Sequence, residues 1–171
     1  MNFEQAVVFP IIQGLEILFF NKRYSELEQK TQSKLKDISS TIVIQKSLNS
    51  DFCIIYQLKN KLPKSLARHG CDIVLLVNIE LLCAEDMQTF PDTWEFVKNM
   101  IEIFKLGTHF CVIKLSEKMK YIFEELAEIP LPPTMFRFYM LLKAIEIFVL
   151  LGELNLYSSQ VHFYPYKGVL E

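Results

Sequence analysis

The sequence predicts an α+β fold in which strands gather early and helices late. Two observations carry this. Before residue 82 the apolar stretches are short, rich in β-branched residues and bounded by turn-forming residues, as strands are. After residue 92 apolar residues recur at steps of three and four, as on amphipathic helices. The two kinds do not alternate along the chain, so an antiparallel sheet with segregated helices is expected rather than a parallel βαβ array.

Residues 6–12, AVVFPII, read as an extended apolar segment, and Pro10 assigns it to a sheet edge because it lacks an amide donor. After Gly14, LEILFFN is a strand. Residues 25–37, SELEQKTQSKLKD, are polar and read as a solvated loop or a weak helix; Ser25 and Glu28 have capping-box spacing, but few apolar residues follow. TIVIQK (41–46) and FCIIYQLK (52–59) are strands joined by the turn-like tract Ser47-Leu-Asn-Ser50. Residues 60–70 form a connection. DIVLLVNIELL (72–82) is a near-continuous apolar run suited to a strand buried on both faces.

A helix is predicted over 92–106. Asp92 is its N-cap, Trp94, Val97, Ile101 and Phe104 form its apolar face, and Gly107 stops it. HFCVIK (109–114) is a short strand. Ser116 opens a helix carrying Met119, Ile122, Phe123 and Leu126, and Pro130 ends it. Pro132-Pro133 then links stiffly to a long helix over 134–156. The tail 157–171 shows no periodicity and is expected to be irregular and poorly packed.

The long helix carries the most information. One apolar seam runs Phe138, Leu142, Ile145, Val149, Gly152, Leu156. A second runs Met140, Ala144, Ile147, Leu151, Leu154. From Phe138 onward the charged residues are Lys143, Glu146 and Glu153. One stripe suffices to pack a helix on its own domain. A second needs another partner, either elsewhere in the chain or in a second copy.

The 171 residues suit one domain, or a domain with a helical appendage, and 51% hydrophobic content supplies an ample core. A net charge of −2, with no clustered basic face, argues against a nucleic-acid surface. The apolar run 138–156 carries three charged residues and is not expected to span a membrane. The N-terminus lacks a basic n-region and carries Glu4, which disfavours a signal peptide; the expected location is cytoplasmic.

Catalytic motifs do not appear. The five glycines are isolated and make no phosphate loop. Neither a G-x-S-x-G elbow nor an H-E-x-x-H helix is present. Glu124, Glu125 and Glu128 read as a solvated face, with Lys120 and Glu124 as an i,i+4 pair. His69/Cys71 and His109/Cys111 are H-x-C pairs that would share strand faces, but no C-x-x-C or H-x3-H spacing supports zinc. They read as core cysteines beside strand-end histidines, and no metal or cofactor is expected. Phe19, Phe20, Tyr56, Phe110 and Phe123 are either plain core or the lining of an apolar pocket; Phe20, Tyr56 and Phe110 are the pocket candidates.

From about Arg68 to Val161 the sequence resembles the regulatory half of AraC-family bacterial transcription regulators with a cupin-like N-terminal domain. The pieces are HGCDIVLLVNIELL (69–82), GTHFCVIKLSEKMKYIFEELAEIP (107–130), FRFYMLLKAIEIFVLLGEL (136–154) and SSQV (158–161). IIQGLEILFFN (11–21) weakly resembles the opening strand of such domains. Their order and spacing carry the likeness, since no piece is diagnostic alone. The resemblance implies an effector-sensing β part, incomplete as a cupin because 25–60 is short and polar, and a late helix that pairs across a dimer. It assigns residues 1–114, with the helix 92–106, to sensing and 115–156 to dimerisation. The paired helix would be 134–156, through Phe138, Leu142, Ile145, Val149 and Gly152. After Val161 the likeness stops, about where a DNA-binding half would begin. The expected partners are therefore a second copy or a full-length relative in a mixed dimer, and a small-molecule effector, with no direct DNA contact. The alternative is a monomeric ligand-binding module or a gene remnant, its second seam covered internally; a metal protein or enzyme ranks below both.

Overall fold

A computed structural model describes residues 7–20, 41–60, 62–63, 73–84, 91–128 and 133–166. The strands are β1 (Val7–Ile12), β2 (Leu15–Phe19), β3 (Thr41–Lys46), β4 (Phe52–Gln57), β5 (Ile73–Asn78), β6 (His109–Lys114) and β7 (Val161–Pro165). The helices are α1 (Ile79–Ala84), α2 (Pro91–Lys98), α3 (Met100–Ile103), α4 (Glu117–Glu128) and α5 (Pro133–Gly152). All seven strands lie in one antiparallel sheet of order β1-β2-β5-β3-β4-β6-β7. The α+β class and the antiparallel sheet are as expected. The polar stretch 25–37 lies outside the described residues.

The edge position of β1 follows from Pro10, which has no N–H to give a second neighbour. Its register with β2 jumps between Pro10 and Ile12, leaving Ile11 in a bulge. The turn into β2 uses Gly14 at φ +88°. A Cβ there would lie 2.5 Å from the Leu82 amide nitrogen, so α1 can sit on this turn only because residue 14 is glycine.

Alternation along the strands divides the side chains between two faces. Ile17, Phe19, Ile42, Ile44, Ile55, Leu75, Val77, Cys111 and Ile113 join the core shared with α2–α5. The helices answer with Trp94, Val97, Phe123, Met140, Ile147 and Phe148. Phe9 meets Phe19 and Phe136 edge-on, locking β1 and β2 to α5. Val8, Leu18, Val43, Tyr56, Val74, Leu76 and Phe110 form a second cluster on the opposite face.

The structure corrects four expectations. The run 72–82 is a strand only to Asn78, whose side-chain oxygen accepts the Leu81 N–H and caps α1. The helix 92–106 is two short helices broken at Asn99. The chain then reverses at Lys105 (φ 55°), not at Gly107, with the amides of Thr108 and His109 both donating to the Lys105 carbonyl. The tail is not irregular throughout: residues 161–165 form β7 on the free edge of β6. Beyond it the Tyr166 hydroxyl donates to the Leu106 carbonyl at 2.7 Å and accepts the Gln57 N–H at 3.0 Å. Alternating Val161, Phe163 and the anchoring Tyr166 supply the packing that a missing helical period conceals.

Candidate association surface

Helix α5 begins at Pro133, whose missing N–H is no loss in a first turn, and ends at Gly152, four residues before the expected end. Its two seams have opposite fates. Met140, Ala144, Ile147 and Leu151 are buried against the sheet and α2, joined by Phe136 and Phe148. Trp94 of α2 meets Phe148 with ring centroids 6.4 Å apart. The seam expected to dimerise faces outward: Phe138 is 71% exposed, Leu142 57% and Val149 43%. Ile145 is half-buried and Gly152 exposed. Met135, 60% exposed, extends the apolar strip by one turn. Leu156, the last expected member, lies past the helix. The absent side chain at Gly152 leaves contact distance to Phe96, whose ring would sit 3.5 Å from a Cβ.

The flanks of the strip are fixed by polar contacts. On the α4 side, Lys143 pairs with Glu125 and, at 3.4 Å, with Glu146. Tyr139 donates its hydroxyl to Glu125 at 3.3 Å. The hydrogen bond from Lys143 holds the Glu125 carboxyl below its usual range, against the opposing effect of burial. Burial works against the Lys143 charge, but the bond to Glu125 and the charge of Glu146 raise its pKa above that of an ordinary lysine. Burial pushes the Tyr139 phenol up to about 12. On the β1 side, Arg137 Nε donates to the Ile11 carbonyl at 2.6 Å. Ile11 is the bulged residue, with no register partner on β2. The expected Lys120–Glu124 pair is replaced by Lys120 with Asp51 at 3.1 Å and Glu117 at 2.9 Å. The turn before β4 reaches α4 there, with Leu115 N–H bonded to the Asp51 carbonyl.

The three pocket candidates come together: Tyr56 and Phe110 belong to the second-face cluster, and Phe20 packs against it. Phe19 and Phe123 lie on the other face in the helix-facing core. Gln45 is also on the second face, between Val74 and Ile54 of the neighbouring strands. It is 4% exposed, and among the described residues its Oε1 accepts no hydrogen bond. Sequence reading missed it, since one glutamine in TIVIQK looks like an ordinary outward strand position.

His69 and Cys71 lie outside the described residues. Among those described, no group of three metal-binding side chains converges. His109 hydrogen-bonds Thr108 Oγ1 at 2.7 Å. Burial pushes the thiols of Cys53 and Cys111 up to about 12, which makes them poor nucleophiles. Among the described residues no helix is long and apolar enough to cross a membrane. No protein-family model matches the chain, and no curated protein or solved structure matches it either.

Proposed function

We propose that this chain is a non-catalytic regulatory domain that senses an effector and dimerises, in the manner of the regulatory half of AraC-family regulators, and that it makes no DNA contact itself. One observation carries the reading: α5 buries one apolar seam and leaves the other open to solvent along Phe138, Leu142 and Val149. A second copy would cover that strip, which contains no charged side chain of its own. The partner is then this chain or a relative that shares the helix. In this reading strands β1–β6 make the cupin-like sensing part.

Light scattering across a concentration range tests it. The wild-type chain should show a dimer mass. Leu142→Glu should weaken association by about a hundredfold or more, because two carboxylates would meet in one apolar contact. The fold should survive, since Leu142 is more exposed than buried. A monomeric wild-type chain, or a dimer indifferent to L142E, would refute dimerisation through this face.

Gln45 favours a second reading, a small-molecule module independent of dimerisation. A buried acceptor without a donor among the described residues, beside Tyr56, Phe110 and Phe20, suits a mostly apolar ligand carrying one N–H or O–H. Saturable ligand binding to an L142E monomer would support it.

A further inference from the structure

A groove of about 560 Å³ opens where the bulge of β1 meets the first turns of α5, lined by Ile11, Ile12, Thr134, Arg137, Phe138 and Leu141. Its size is that of a small-molecule site. Its walls are mostly apolar, with one cation among them. Arg137 is held in place by its Nε bond to the Ile11 carbonyl, and among the described residues no carboxylate lies within ion-pair distance of it. That bond leaves the terminal guanidinium N–H groups to grip an anion. They match a carboxylate, which accepts two parallel hydrogen bonds from such a fork. A phosphate dianion would want a second cation, and the groove's lining has none.

We propose that this groove binds a small apolar monocarboxylate, with its head group on Arg137 and its body against Ile12, Phe138 and Leu141. Phe138 is also the first residue of the open seam on α5. If the dimer forms there, which rests on the function proposed above, ligand and second copy compete for the same ring. Linkage then requires the ligand to weaken association by the factor by which dimerisation weakens its binding.

Calorimetric titration of the full chain with octanoate and with 4-phenylbutyrate tests the site, using octanol and octylamine as uncharged and cationic controls. One saturable carboxylate site per chain is expected, with the controls failing to bind. Arg137→Met should weaken binding about tenfold or more while keeping most of the stem's packing. Leu141→Trp, which fills the groove and spares Arg137, should abolish it, and keeps the test decisive if R137M folds poorly. Equal binding of octanol and octanoate, or an unchanged titration in both variants, would overturn the proposal, as would non-saturable binding. The same titration on L142E separates the two readings. Carboxylate binding with no dimer in the wild type sustains the groove and removes the dimer. A dimer that binds no carboxylate does the reverse.

Discussion

Glycine shows how differently one residue type behaves at two positions. Gly14 sits at φ +88° with the backbone of α1 against it, so Gly14→Ala meets both a conformational penalty and a collision with a peptide nitrogen. A loss of about 2 kcal/mol or more is expected from urea denaturation. Gly107, which reads in the sequence as a helix stop, has open space where its Cβ would be and no positive φ. Gly107→Ala should therefore stabilise by about 0.4–1 kcal/mol, through a less flexible unfolded chain. An equal loss at both sites would contradict this contrast. The sequence misleads here because the left-handed residue is Lys105, a lysine that accepts the strained conformation while its ammonium lies 4.9 Å from the Phe163 ring centre. Gly14 and Gly107 look alike until the backbone beside them is known.

Elements were legible to the extent that their period was clean. The strands 41–46 and 109–114 have the expected bounds, and α4 opens on Ser116, whose hydroxyl accepts the Met119 N–H at 3.3 Å. The two seams of α5 were also legible, and their steps correctly separated Met140, Ala144, Ile147 and Leu151 from Phe138, Leu142 and Val149. Which seam the fold would bury was not legible, because both are apolar and only the sheet decides. On the flank of α5 only the charged stripe was legible: Lys143 pairs with Glu146 on its own helix, and the more covered partner is Glu125, supplied by another helix. That contact has a pH signature. The folded-state pKa of Glu125 lies below its ordinary 4.5, so its ion pair stabilises the protein fully above that value. The contribution is lost as pH falls through the lowered folded-state pKa. Glu125→Gln should lower stability at neutral pH and flatten the decline below about pH 4.5, measured by urea denaturation at a series of pH values. A variant as acid-sensitive as the wild type would remove Glu125 from the network.

The whole molecule is held by contacts distant in sequence, and those were the least legible. Nothing local in residues 73–78 says that β5 inserts between β2 and β3, because the neighbours of a strand buried on both faces are chosen by the chain's return paths. The same holds for β7, which closes one edge of the sheet after the long excursion through α4 and α5. The pocket candidates Tyr56 and Phe110 lie on different strands, and β4 pairing with β6 brings them to one face. The Gln45 orphan depends on that same assembly. Tyr166 ties these levels together. Its hydroxyl joins the end of β4, through the Gln57 N–H, to the reversal after α3, through the Leu106 carbonyl, while its ring packs near Phe110. Burial raises its pKa, as expected for a phenol held inside such a network. Tyr166→Phe keeps the ring and deletes the bridge, taking the hydroxyl from the Gln57 N–H and leaving the Leu106 carbonyl with the weaker donor Asn60 Nδ2 at 3.4 Å. It should cost about 1–3 kcal/mol with an unchanged urea m-value, since the surface buried on folding stays the same. A neutral outcome would mean that water replaces the hydroxyl and that β7 holds its edge by the strand ladder alone.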